Sequence, residues 1–248
     1  MTVILVLAAL VGAGVVSRQV LANSRGDVLW GLGHLAVRVY CRVVHRVRVV
    51  GHENIPQTLH PGPLILVVNH TAGVDPLLVQ SACPFEIRWM MAADMQVAAL
   101  RWAWEWLNVI DVDRLGRDTT SARQALRHLK NNGVIGIFPE GAIERPPRQI
   151  MPFFNGVGLI IARSSAPVLP VIVEGTPLTR HAWGSLLRAS RSTVRFLPVM
   201  RFGSDSPADI TTDLRRLYMD ATGWPANNAP RRPERNDHPE LAGRHALM

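Results

Sequence analysis

Two periods of hydrophobic patterning alternate along this chain. Short β-branched and aliphatic segments recur at Leu64 to Val68, Phe85 to Met91, Val109 to Val112, Val134 to Phe138, Val168 to Val173 and Thr193 to Val199, and each predicts a strand. Between them, Pro76 to Ala82, Asp94 to Asn108, Asp118 to Asn132 and Met151 to Ser165 read as helices. The third of these is the clearest, with Asp118 or Thr119 as cap, Ala122, Ala125, Leu126 and Leu129 turned inward and Gly133 as stop. Strands alternating with helices predict an α/β fold: a single layered domain with a largely parallel mixed sheet flanked by helices.

The first fifty residues have a different pattern. Residues 2 to 16 are uncharged and almost wholly apolar, a helix of about 22 Å against a hydrocarbon core of about 30 Å. No basic segment precedes this run, which favours an uncleaved anchor over a signal peptide. From Val28 to Val50, apolar residues at three- and four-residue steps interleave with Arg38, Arg42, Arg46 and Arg48, as in a helix at an anionic interface or an ordinary surface helix with solvated arginines. Three segments are therefore expected: a membrane anchor with an amphipathic basic helix over 1–50, the α/β domain over 51–222, and a disordered tail over 223–248, where Pro, Asn and Arg replace any periodicity. Basic residues after the apolar run put the domain on the cytosolic side of the cell membrane. In the helix expected over Asp94 to Asn108, Trp102, Trp104 and Trp106 cannot share one face, so some of them must meet solvent, lipid or acyl chain.

Composition narrows the class. Hydrophobic residues make up 48% of 248 and mean hydropathy is +0.11, values that suit a membrane-associated globular domain. A formal charge of +8 predicts attraction to anions such as anionic phospholipid. No nucleic-acid module is recognisable, and no nucleic-acid partner is expected. Two cysteines and nine scattered histidines make no metal or disulfide framework, so no metal and no bound cofactor are expected.

The chemistry gathers around Asn69-His70-Thr71-Ala72-Gly73-Val74-Asp75-Pro76 at the end of the Leu64 to Val68 strand. On one continuous helix His70 and Asp75 would point about 140° apart. A strand end, a bend at Gly73 and a helix starting near Pro76 would bring them together, and the carboxylate would then orient an imidazole base. Asp75 has a second reading, as a helix N-cap. Asn69-His70, four residues and Asp75 resemble the first motif of the glycerolipid acyltransferases, typified by 1-acylglycerol-3-phosphate acyltransferase. Three further blocks resemble that family's in the right order: Val109 to Arg114, Phe138-Pro139-Glu140-Gly141, and Ala166-Pro167-Val168-Leu169-Pro170-Val171.

The resemblance implies transfer of a fatty acyl group from acyl-CoA or acyl carrier protein, as co-substrate, to a hydroxyl of a lysolipid acceptor such as 1-acylglycerol-3-phosphate. His70 and Asp75 would be the catalytic pair. Asn69, Arg114, Glu140 and Gly141 would bind substrate, with Arg114 on the acceptor phosphate. Three stretches depart from the family: Ala142-Ile143 follow Gly141 where a hydroxyl residue and an arginine are usual, Phe153-Phe154-Asn155-Gly156 lacks the usual lysine, and, a smaller change, Thr71-Ala72 stand where a serine two after the histidine is common. Arg145 and Arg148 stand near enough in sequence to compensate. Alternatively the acceptor is a lysolipid without that phosphate. A thioester hydrolase and a non-catalytic lipid- or carrier-binding protein also stay open, although no Gly-x-Ser-x-Gly elbow is present.

Overall fold

A computed structural model describes residues 4, 14, 17, 20–112, 119–179, 181–203 and 205–229. The elements are α1 (Val28–Val43), β1 (Arg48–Val50), β2 (Leu64–Val68), α2 (Asp75–Ala82), β3 (Arg88–Ala92), α3 (Arg101–Trp106), β4 (Ile110–Val112), α4 (Thr120–Lys130), β5 (Val134–Ile137), α5 (Asn155–Ser164), β6 (Val168–Glu174), β7 (Thr193–Phe196) and α6 (Pro207–Thr222). The strands form one sheet in the order β1-β7-β6-β2-β5-β3-β4. β6, β2, β5, β3 and β4 run parallel, β7 is antiparallel to β6, and β1 follows β7 in parallel. The C-terminal end of the parallel strands is therefore the end at which β7 and β1 begin.

β2 is buried along its whole length, as a central strand covered on both faces must be. Leu64, Leu66 and Val68 point into a layer with Cys41, Val74, Leu78 and Val79. Ile65 and Val67 point the other way, toward Leu129, Val157, Ile161, Ile210 and Leu214. α1 and α2 thus cover one face and α4, α5 and α6 the other, the three-layer arrangement expected of alternating strands and helices.

The expected N-terminal apolar or amphipathic helical anchor ahead of the domain is overturned. Among the described residues no helix is long and apolar enough to cross a membrane. α1 has 16 residues, about 24 Å, and it belongs to the domain: Trp30, Gly31 and Cys41 are buried, and the Tyr40 hydroxyl donates to the Leu186 carbonyl at 2.6 Å. Residues 2–16 lie, apart from Ile4 and Gly14, outside the described residues. The arginine-rich end of the Val28 to Val50 segment is not helical. Arg46 takes a left-handed φ of 43°, and the chain continues as β1, with the Arg48 N–H donating to Ser192 O at 2.9 Å.

Two other elements depart from the hydrophobic pattern. The helix expected over Asp94 to Asn108 is broken into 3-10 turns at Ala93–Met95 and Ala98–Leu100 before α3. Its tryptophans pack in different directions, Trp104 against Trp183 and Trp106 against Trp30, while Trp102 stays 66% exposed. α6 was not apparent from strand and helix alternation. Ser206 caps it, accepting from Asp209 N–H, with Pro207 in the first turn and Gly223 as its left-handed stop. Beyond α6 the chain stays on the domain as far as described, with Ala226 bridging Ile150. The expected tail from residue 230 lies outside the described residues.

α6 also completes the sheet. In the regular β2/β6 ladder, where Ile65 N–H donates to Pro167 O at 3.0 Å, Val171 N–H would reach Val67 C=O. Pro170 stands opposite Val67 but faces β7, where its carbonyl accepts from Leu197 N–H at 2.9 Å. The Tyr218 hydroxyl is interposed, accepting from Val171 N–H at 3.1 Å and donating to Val67 O. Burial holds that phenol well above its ordinary pKa, so it remains a donor. Tyr218→Phe should leave a buried carbonyl and a buried N–H unpaired and cost about 2 to 4 kcal/mol. Urea denaturation would read this as a lower midpoint at unchanged slope. A loss below about 0.5 kcal/mol would mean that the two strands close on each other instead.

Candidate active site

Every strand end that carries a polar motif opens on one rim of the sheet. β2 runs into Asn69-His70, and α2 starts only at Asp75. The Asp75 carboxylate is fully buried and turns back into the loop that precedes its own helix. Oδ2 accepts from Thr71 N–H at 2.6 Å, Ala72 N–H at 2.9 Å and His70 Nδ1 at 3.0 Å, and Oδ1 accepts from the Thr71 hydroxyl at 3.1 Å. The N-cap position belongs to Val74, and no side chain caps the helix, so the capping reading of Asp75 is not realised. With Nδ1–H held by a carboxylate, the lone pair of the imidazole lies on Nε2. Nε2 makes no hydrogen bond to the described residues, and 18% of the His70 side chain is exposed.

The loop is held from three sides. Asn69, fully buried, spends both amide atoms on Val173 of β6, at 3.0 and 2.8 Å. The Thr176 hydroxyl donates to the Thr71 hydroxyl at 2.8 Å. From beyond β5, Glu144 N–H donates to His70 C=O at 2.8 Å. The imidazole stacks on Phe138 with centroids 4.1 Å apart, and Phe138 stacks on Trp89 at 5.1 Å. This aromatic floor fixes the plane of the ring. Gly73 sits so close to Ala182 O that a Cβ would lie 2.4 Å from it, which fixes the bend that returns Asp75 to His70.

Of the residues the sequence singles out, His70, Asp75, Asn69, Glu140 and Gly141 come together at this rim. Glu140 is fully buried behind Phe138 and Pro139. Gly141 has a φ of 66°, and a Cβ there would strike the Phe154 ring at 2.3 Å. Arg145 is exposed, but its guanidinium donates to Glu144 O at 2.7 Å and Thr179 O at 2.9 Å. Arg148 is also exposed, and its guanidinium forms no hydrogen bond to the described residues. Arg114 lies outside the described residues. Ile143, where the related motif carries an arginine, is buried at 4% exposure. Among the described residues no group of three or more His, Cys, Asp or Glu side chains is placed to hold a metal ion.

Sequence reasoning misses Phe138 and Trp89 as the floor beneath His70, although the pairing of Val67 with Ile137 puts Phe138 level with the end of β2. It also misses Glu144. That side chain is buried at 3% exposure. Its Oε1 accepts from Arg148 N–H at 2.8 Å, while Oε2 has no hydrogen-bond partner among the described residues. Burial pushes its carboxyl up to about 7. The Asp75 charge pushes the same way, while the Arg148 and Gln149 N–H groups and the Arg145 guanidinium pull against it.

This shift has a definite sign. A carboxyl with a raised folded-state pKa binds more protons folded than unfolded between the ordinary glutamate range and about 7, so its stabilisation is full below that window and lost as pH rises through it. Glu144→Gln removes the titration. The difference in melting temperature between variant and wild type should therefore grow in the variant's favour from pH 5 to pH 8. Taking the difference cancels the opposite contribution of the buried His45 and the half-buried His34 and His128, whose pKa values desolvation lowers. A difference flat across that range would show that Glu144 titrates as in water.

Comparisons with known proteins agree with this geometry. An acyltransferase family model matches residues 46–174, a span from β1 through the His70 loop and the Phe138 to Gly141 turn to the end of β6. Among solved structures, the chain resembles the 1-acyl-sn-glycerophosphate (LPA) acyltransferase PlsC from Thermotoga maritima, with a TM-score of 0.62 at 19% identity over 86% of this chain and 88% of that one. At that identity the likeness speaks for the fold. With just over half its length matched by the family model, the chain belongs to the acyltransferase family.

Proposed function

We propose that this acyltransferase moves a fatty acyl group from an acyl thioester, acyl-CoA or acyl carrier protein, to a free hydroxyl of 1-acylglycerol-3-phosphate in phospholipid synthesis. The observation that carries the reading is the His70–Asp75 pair, with Nδ1 held at 3.0 Å and Nε2 left open toward the rim. Nε2 takes the acceptor's hydroxyl proton as that oxygen attacks the thioester carbonyl. Asp75 keeps the ring oriented and stabilises the imidazolium. Collapse of the tetrahedral intermediate breaks the C–S bond, and the thiolate leaves with the proton from Nε2. A thioester is already activated, so the scheme needs no covalent acyl-enzyme.

Glu140 and Gly141 are assigned to the glycerol part of the acceptor, Gly141 because its bare backbone permits close approach. Arg114 and Arg148 are assigned to the acceptor phosphate. Arg145 is the weaker choice, since its guanidinium is already engaged with two carbonyls. Work at a membrane surface fits the outer side of α1, where Leu29, Leu32, Val39 and Val43 are exposed beside Arg38 and Arg42. This is peripheral contact and needs no spanning segment.

The test is transfer of radiolabelled palmitate from palmitoyl-CoA and from palmitoyl carrier protein to lysophosphatidic acid and other lysolipids. His70→Ala should lower turnover by about 10² to 10⁴-fold without changing the melting temperature by more than a few degrees. Asp75→Asn should lower it as well, and should also unsettle the loop. Free palmitate without acylated lipid would replace this reading with a thioester hydrolase. Product from other lysolipids but not from lysophosphatidic acid would keep acyl transfer and overturn the acceptor.

A further inference from the structure

A second polar site lies on the same rim, at the edge formed by β1 and β7. Arg46, Arg48 and Arg191 surround an open cleft of about 590 Å³ with Ser192 and Thr193. All three arginines are exposed, and none of their guanidinium groups forms an ion pair or hydrogen bond with the described residues. Glu174, opposite Thr193 across β6 and β7, stays beyond ion-pair distance of all three. Three uncompensated guanidiniums around one hollow repel one another, and a multiply charged anion removes that cost.

The cleft has a fixed floor. Ser192 is buried at 1% exposure. Its hydroxyl joins the Ser190 hydroxyl at 2.8 Å, which in turn meets His45 Nδ1 at 2.8 Å. The backbone is laced across the same place, with Ser192 N–H on His45 O and Arg48 N–H on Ser192 O. Arg46 holds its left-handed turn where a glycine would be free of strain.

The cleft is also joined to the catalytic loop. β7 is two strands from β2 and β1 is three, so the arginines lie about 10 to 15 Å along the rim from the strand that carries His70. The turn after β6 spans the gap. Thr176 holds the Thr71 hydroxyl at one end, and Gly175 packs against Arg191 at the other, where a Cβ would lie 2.4 Å from Arg191 O.

We propose that this cleft binds the phosphate groups of coenzyme A, so that the acyl donor lies along the rim with its thioester at His70 and its nucleotide end on Arg46, Arg48 and Arg191. The proposal rests on the acyl-thioester reading of the His70 site. It also chooses between the two donor carriers, because coenzyme A brings three phosphate groups to one place and a carrier-protein arm brings a single phosphodiester.

The test uses the full chain with Arg48→Gln and Arg191→Gln combined, and with Arg48→Lys and Arg191→Lys as the charge-keeping control. Both sites are exposed, so matching melting curves are expected. The Gln pair should raise KM for palmitoyl-CoA by about tenfold to a hundredfold, the size of one to two lost charged contacts, with kcat within about twofold. The Lys pair should recover part of that loss. Palmitoyl-pantetheine, which has the thioester and no phosphate, should be used equally well by all three proteins. Titration of wild type with free coenzyme A should show binding that the Gln pair loses. An equal KM for palmitoyl-CoA in wild type and the Gln pair would overturn the proposal. So would normal transfer from palmitoyl carrier protein with no coenzyme A binding, and that result would leave the acyltransferase reading intact. Loss of binding to phosphatidylglycerol vesicles with KM for palmitoyl-CoA unchanged would move the cleft to lipid headgroups and overturn it too. Absence of transfer from every donor would instead fail the His70 reading beneath it.

Discussion

The Asp75 carboxylate is the constraint on which the site depends. It is fully buried and acts as acceptor on every contact, so the chain must bring donors to it or bear several kcal/mol of desolvation. The five residues from His70 to Val74 supply those donors: two backbone N–H groups, one hydroxyl and one imidazole N–H. Satisfying the carboxylate therefore shapes the loop, and shaping the loop aims Nε2 outward. An N-cap would have used the same side chain to stabilise α2. Here the helix starts without a side-chain cap, and the carboxylate serves the loop instead.

The sheet makes that loop rigid. β2 has strands on both sides and apolar layers above and below, so its end cannot shift without disturbing two cores. Asn69 ties that end to β6, and Glu144 ties it to the segment after β5. Each tie pairs a polar backbone group that the neighbouring strands leave without a ladder partner, which explains why polar residues collect at this rim. Tyr218 performs the same service inside the sheet, between Val171 N–H and Val67 C=O.

What the sequence could show follows from the range of the interaction. The strands after the first and α4 are legible because their signals are local: β-branched runs, an inward stripe at Ala125 and Leu129, and a stop at Gly133. His70 and Asp75 are legible because a five-residue spacing and a glycine limit how they can meet. β1 is not, since the arginine-rich segment that forms it continues the apolar steps of α1 and becomes a strand only through β7. α6 carries its start and stop in Ser206, Pro207 and Gly223, but its buried apolar residues recur only at every fourth position, Ile210, Leu214 and Tyr218, with the polar Thr211 beside them, a narrow stripe. The break in the 93–106 region follows from tryptophans that find separate partners. Phe138 as a floor and Glu144 as a tie depend on two loops meeting across β2 and β5, which no local pattern encodes.

Asp75 and Glu144 show how burial alone does not decide what a carboxyl does. Both are nearly inaccessible, and both belong to the His70 loop, one through its side chain and the other through its backbone. Asp75 has donors on both oxygens, three on Oδ2 and one on Oδ1. Glu144 has Arg148 N–H on one oxygen and no hydrogen-bond partner among the described residues on the other, and its neighbour across the loop is the Asp75 charge itself. Desolvation without full compensation raises a carboxyl's pKa, and that of Glu144 is pushed up to about 7. Below about pH 7 Glu144 holds a proton, and above it a buried negative charge. The residue that fastens the His70 backbone is therefore also one whose own charge changes near neutral pH.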